Sequence, residues 1–142
     1  METNSIHNAV EHLKANLTDV ARVNEWADLM GYENPRRFSE KFLNHYGIRP
    51  QKVMELVRLE SIIRMLRSDR NMLHIKVARR HSLPDEKSLY NFTWYHSGFS
   101  PTEWKKMSEK KMRYELEKLW KEIMEVYEPE STPLSKPTIN GS

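Results

Sequence analysis

Two stretches decide the fold: GYENPRRFSEKFLNHYGIRP at 31–50 and SLPDEKSLYNFTWYHSGFSP at 82–101. A shift of 51 residues aligns them without a gap, placing Asn34 on Asp85, Phe38 on Leu89, Gly47 on Gly98, Ile48 on Phe99 and Pro50 on Pro101. Ala27 falls on Ala78 in the same register. A fixed period of this kind marks a duplicated supersecondary unit.

The first copy can be read physically. A short helix from about Val23 to Met30 buries Trp26 and places small Ala27 where a second helix must come close. Gly31 supplies the left-handed conformation that ends a helix. Asn34 then caps the next helix, with Pro35 in its first turn. Along that helix Phe38, Phe42 and Tyr46 recur every four residues and face inward, while Arg36, Arg37, Glu40 and Asn44 face out. A pair of helices whose second member presents a polar, basic outer face is what a helix-turn-helix DNA reader needs. The first pair spans about 23–46, and the second repeats the plan over about 74–97.

Between the copies, residues 50–68 form a candidate linker helix carrying Val53, Leu56, Val57, Leu59, Ile63 and Leu66. Nineteen residues give roughly 28 Å, enough to set two reading helices near one DNA turn, about 34 Å, apart. An N-terminal helix from Ile6 to Leu17 offers Val10, Leu13 and Leu17 to the first core. With only 4 glycines and long Glu-, Lys-, Leu-, Arg- and Met-rich stretches, the chain reads as all-α.

Charge is segregated. The chain of 142 residues carries a formal +3, but residues 1–33 sum to −4, 34–114 to +10 and 115–142 to −3. The basic middle is the expected footprint of a polyanion partner. No cysteine is present, which excludes a disulfide scaffold, a thiolate metal site and a cysteine nucleophile. The six histidines do not fall at metal-ligand spacing, and there is no glycine-rich phosphate loop or nucleophile elbow. Neither an enzyme nor a cofactor is expected. No apolar run reaches membrane-spanning length and the first residues lack a signal-peptide block, so the expected location is the cytoplasm, away from membranes.

The stretches VNEWADLMGY (23–32), FSEKFLNHYGIRP (38–50), QKVMELVRLESIIRML (51–66) and GFSPTEWKK (98–106) together resemble the DNA-binding domain of the AraC/XylS family of bacterial transcription regulators, over roughly residues 5–108. The resemblance implies a homeodomain-like, AraC-type domain over 1–108, in which two helix-turn-helix subdomains each place a recognition helix in a major groove of double-stranded DNA. The reading positions it implies are Arg36, Arg37, Ser39 and Glu40 in the first copy, and Lys87, Ser88, Tyr90 and Asn91 in the second. Arg36 and Arg37 suit guanine edges or phosphates, Glu40 a cytosine amino group and Asn91 an adenine. Lys41, Arg49, Arg79 and Arg80 suit the phosphate backbone.

The second copy departs from this pattern. Ser82 stands at the turn glycine, Thr93 at a bulky aromatic, Ser97 at the aromatic before Gly98, and His81 in an apolar slot. Asp85 and Glu86 open its second helix, where they can cap it and meet the positive end of its dipole. Tyr90 and Trp94 lie off the Leu89, Phe92 and His96 face and are expected to tuck against the terminal helix. These departures motivate an alternative function, a protein-interaction module with a degenerate second reader that modulates another regulator.

Ser100 and Glu103 have the spacing of a capping box. From there the pattern reads as a helix running on past Pro101, with Met112, Leu116, Leu119, Ile123 and Val126 in a stripe bordered by Trp120 and Tyr127. This 109–128 extension is expected to pack back onto the first helix or the Tyr90/Trp94 side. The competing use of 112–127 is a homodimer seam. Residues 129–142 are proline-rich and read as a disordered tail. Besides DNA, RNA polymerase or another regulator is the expected partner.

Overall fold

Residues 50–68 form one helix whose buried side chains are distributed all around its axis, and the chain is arranged around it. The computed structural model describes residues 4–127, with side chains to Ile123; Val126, Tyr127 and the 129–142 tail named above therefore fall wholly or partly outside the described residues. Helices α1 (Ala9–Ala15), α2 (Val23–Leu29), α3 (Pro35–Tyr46), α4 (Pro50–Ser68), α5 (His74–Arg80), α6 (Glu86–Ser97), α7 (Pro101–Lys106) and α8 (Glu109–Tyr127) follow one another, with no strand among the described residues. The protein is all-α.

Helix α4 buries Val53, Met54, Leu56, Val57, Leu59, Ile62, Ile63 and Leu66. Such all-round burial marks a central helix. It supplies residues to three clusters. The first holds Val53, Met54 and Val57 with Leu13, Trp26, Phe38 and Phe42. The second holds Leu56, Leu59 and Ile63 with Trp104, Met107 and Leu116. The third holds Ile62 and Leu66 with Val77, Ala78 and Leu89.

The two helix pairs match in construction. Each has a seven-residue helix followed by a twelve-residue one, α2 then α3 and α5 then α6. Asn34 accepts a hydrogen bond from the Arg36 amide (2.9 Å), and Asp85 accepts one from the Ser88 amide (2.8 Å), so both second helices are capped. Gly47 and Gly98 end them in the left-handed region, at φ 74° and 79°. In the first pair Trp26 meets Phe38 and Phe42 edge-on at 5.3 and 5.0 Å, geometry worth about 0.5–1.5 kcal/mol per pair beyond burial. The Trp26 indole donates to the Ala9 carbonyl (3.0 Å) and the Tyr46 hydroxyl to the Ile6 carbonyl (2.9 Å).

The polar replacements that turn inward in the second pair, His81, Thr93 and Ser97, are all satisfied. Ser82 keeps the left-handed turn, at φ 64°, although it is not glycine. His81 is buried, with Nδ1 2.8 Å from the Val77 carbonyl and Nε2 2.8 Å from the Ser61 hydroxyl. A ring that donates to the carbonyl and accepts from the serine is neutral. Buried Thr93 donates to the Tyr90 carbonyl (3.1 Å). Ser97 donates to the Thr93 carbonyl (2.6 Å) and accepts from the Trp104 indole (2.8 Å) and the Phe99 amide (3.2 Å). The hydroxyl at 97 thus gives the indole of buried Trp104 its acceptor.

Three expectations are corrected. The N-terminal segment is not one helix from Ile6 to Leu17: tight turns of 3-10 helix at Ile6–Asn8 and Leu17–Asp19 flank the short α1. Asn8 and Asn16 sit at the two breaks, and the Asn16 side chain donates to the His12 carbonyl (2.9 Å), competing with the helical ladder. The helix that starts at Pro101 does not run on, because buried Met107 is extended (ψ 150°) and the Ser108 hydroxyl accepts from the Lys111 amide (3.1 Å) to start α8. Arg67 crosses from α4 to hold the freed carbonyls of Trp104 (2.9 Å) and Met107 (2.7 Å). Finally, Tyr90 and Trp94 do not tuck against the terminal helix. They are 48% and 52% exposed, while Leu116, Met112, Leu119 and Ile123 pack into the α4 clusters. The Trp120 indole donates to Glu60 on α4 (3.1 Å). The stripe thus packs back within the chain, onto α4 rather than onto the Tyr90/Trp94 side, and little of it is left for the competing homodimer seam.

Ser97→Ala leaves the Trp104 indole without its acceptor and should lower stability by about 1–3 kcal/mol in urea unfolding. A second expectation concerns pH. Burial holds the His81 ring below its ordinary value, with Arg58 and Arg80 pushing the same way against the Val77 carbonyl. Burial also lowers His74 and His96. Below about 6.5 the unfolded chain therefore binds more protons than the native one, and stability falls as pH drops through that value. The urea midpoint should be lower at about pH 5.5 than at about 7.5, and His81→Met, the residue of the first copy's slot, should flatten the difference.

Candidate nucleic-acid interface

Helix α3 owes its position to Phe38 and Phe42, both fully buried, and to the Asn34 cap, so its opposite side is turned outward. Arg36, Arg37, Glu40 and Lys41 are exposed, and Ser39 is half-buried at the edge. At 100° per residue, Arg36, Glu40 and Asn44 form one outer row and Arg37 and Lys41 a second beside it. Arg36 and Glu40 are four residues apart, yet among the described residues neither they nor Arg37 and Lys41 engage in an ion pair. Their hydrogen-bonding groups face water.

The arginines of the basic middle divide into two kinds. Arg58 is buried and donates to the Ala21 carbonyl (3.0 Å), tying α4 to the start of α2. Arg67 holds the end of α7, as described. Arg64 pairs with Glu60 and Arg113 with Glu109 within their own helices. By contrast Arg49, Arg70, Arg79 and Arg80 are exposed, and no ion pair involves them among the described residues. The charge sum over 34–114 counts all of them alike, although Arg49, Arg79 and Arg80 are the ones expected at the phosphate backbone. The signal for Arg58 was its place among Leu56, Val57 and Leu59 on a helix buried all round.

Helix α6 is held by Leu89 and Thr93, both fully buried, with Phe92 half-buried. Of the expected reading residues, Lys87, Tyr90 and Asn91 are exposed and Ser88 is half-buried. The Asp85 carboxyl lies below its usual range because the Ser88 amide donates to it. Two exposed aromatics beyond Tyr90 share the surface of α6. Trp94 stacks with Tyr90 (6.4 Å, 11°), and Tyr95 is 82% exposed. On the other flank His96 lies 3.8 Å from Glu55 of α4; burial keeps it below its ordinary value although Glu55 acts the opposite way. The Tyr90/Trp94 pair was visible as an i, i+4 aromatic couple off the core face. Its exposure follows from the turn at Met107, which carries the last helix elsewhere.

Among the described residues, no helix is long and apolar enough to cross a membrane. No group of three or more His, Asp or Glu side chains among them is gathered to hold a metal ion. An open cleft of about 610 Å³ lies between α4 and the start of α8 and is lined by Arg64, Arg67 and Arg70 with Glu109. No protein-family model, curated protein or solved structure matches the chain, so the function of this interface is argued from its own geometry.

Proposed function

We propose that the protein is a sequence-specific, double-stranded-DNA-binding transcription regulator of AraC/XylS type, acting in a bacterial cytoplasm, which lays α3 and α6 into major grooves. The observation that carries this reading is the outer face of α3: a capped twelve-residue helix whose Arg36, Arg37, Glu40 and Lys41 are exposed and uncommitted to partners within the chain. Fork-shaped guanidinium groups match the O6 and N7 acceptors of guanine, and a carboxylate accepts from the cytosine amino group. Lys41, Arg49, Arg79 and Arg80 supply phosphate contacts that fix register. The likeness in build of the two helix pairs supports two readers per chain. RNA polymerase or another regulator is then the protein partner through which binding changes transcription.

A second reading is the interaction module with a degenerate second reader. It is favoured by the exposure of Tyr90, Trp94 and Tyr95. The two readings part on duplex DNA alone, since the module needs no affinity for it.

With about five phosphate contacts, log K should fall by roughly 4.5 for each tenfold rise in salt. A fluorescence titration of duplexes selected from a random pool measures this slope, and a flat response refutes the regulator reading. Changing Arg36 and Arg37 together to Ala should weaken binding and relax selectivity by about 1–3 kcal/mol for each guanine read. Unchanged selectivity in a repeat selection would remove them from that role.

A further inference from the structure

We infer that α6 reads A·T base pairs, with Tyr90 and Trp94 seated on thymine methyl groups and Asn91 on an adenine edge, so that the operator has a guanine-containing block under α3 and an A·T block under α6. The inference rests on the DNA-binding reading above and names what the second helix recognises.

The argument starts from the outward row of α6. Lys87, Tyr90, Asn91 and Trp94 follow at i, i+3, i+4 and i+7, and all four are exposed. That is the spacing with which a helix lying in the major groove brings successive side chains to base edges. Gly98 ends the row at φ 79°, and nothing lies within 4 Å of where a Cβ would stand, so the surface stays open past Trp94. The row occupies in α6 the place that Arg36, Ser39, Glu40 and Leu43 occupy in α3 under the 51-residue shift. The chemistry of the two rows differs. An asparagine amide pairs with adenine N6 and N7, while apolar surface suits the C5 methyl that only thymine presents in that groove. The guanine-reading arginine of the first row is replaced by Lys87, a cation without the planar fork.

Charge around the row is compatible with DNA. Helices α5 and α6 expose Lys76, Arg79, Arg80 and Lys87 against Asp85 and Glu86, and the Asp85 carboxylate is occupied by the Ser88 amide. A protein-docking patch would favour contiguous apolar area with charge depleted at its centre. Here the two rings stack on each other, and on the helix surface exposed Lys87 and Asn91 flank the pair on one side.

The test uses the full chain. Duplexes are selected from a random pool, and selection is repeated with Asn91→Ala; the adenine whose preference relaxes, by about tenfold, marks the α6 block. Thymines of that block are then replaced by deoxyuridine, which removes only the methyl. The wild-type chain should lose about fourfold in affinity per contacted methyl, and a Tyr90→Ser/Trp94→Ser variant, with melting unchanged, should lose none. Deoxyuridine that leaves wild-type affinity intact overturns the inference while duplex binding stands, and frees the aromatic face for a protein partner. Equal sensitivity in the variant, no adenine preference that Asn91→Ala relaxes, or equally tight binding of the single strand overturns it as well. Failure to bind any duplex sinks the regulator reading and this inference with it, which distinguishes the two.

Discussion

The burial of α4 is the constraint on which the structure depends. One helix serves as a wall of three clusters, so Val53 and Met54 face the first helix pair, Ile62 and Leu66 the second, and Leu56, Leu59 and Ile63 the C-terminal helices. A helix used in this way cannot be amphipathic in the usual one-sided sense, and those of its polar side chains that reach inward must be paired. Arg58 is held by the Ala21 carbonyl, Glu60 by Arg64 and Trp120, and Arg67 by two carbonyls at the end of α7. Burial pushes the Glu60 carboxyl up, but those donors outweigh it and leave the group below its usual range. The helix first read as a linker is in physical terms the spine.

The two helix pairs show how one backbone plan accepts two chemistries. The first fills its interior with aromatics that meet edge-on or tilted. The second replaces the corresponding rings with Thr93 and Ser97 and the apolar slot with His81, and every replacement finds a partner nearby. The Trp104 indole of the neighbouring cluster is anchored on Ser97. Interior divergence therefore leaves the outside of α6 free to differ as well, and its aromatic row beside the arginine-bearing row of α3 is the main asymmetry of the surface.

Much of this was legible along the chain, for reasons that lie in local chemistry. Asn34-Pro35, Asp85, Gly47, Gly98 and the Ser100/Glu103 box fix helix ends through hydrogen bonds to backbone within a few residues. Periodicity at Phe38 and Phe42, and at Val53 through Leu66, assigns the buried sides. The exposure of Arg36, Arg37, Glu40 and Lys41 follows from the same geometry. Local signals were also present where the reading went astray, in Asn8 and Asn16 around α1 and Ser108 before α8, but each competed with a longer apolar repeat that suggested continuity.

The sequence by itself thus determined the two helix pairs, the central helix, the caps at Asn34, Asp85 and Ser100 and which side of each reading helix avoids the core, because those depend on neighbours one to four residues away. Only the tertiary structure decided which arginines are spent on carbonyls, where α8 lies and that Tyr90 and Trp94 remain uncovered. Those outcomes depend on contacts such as Arg58 to Ala21, Arg67 to Met107 and Trp120 to Glu60, between groups 37 to 60 residues apart, for which the order of residues carries no distance.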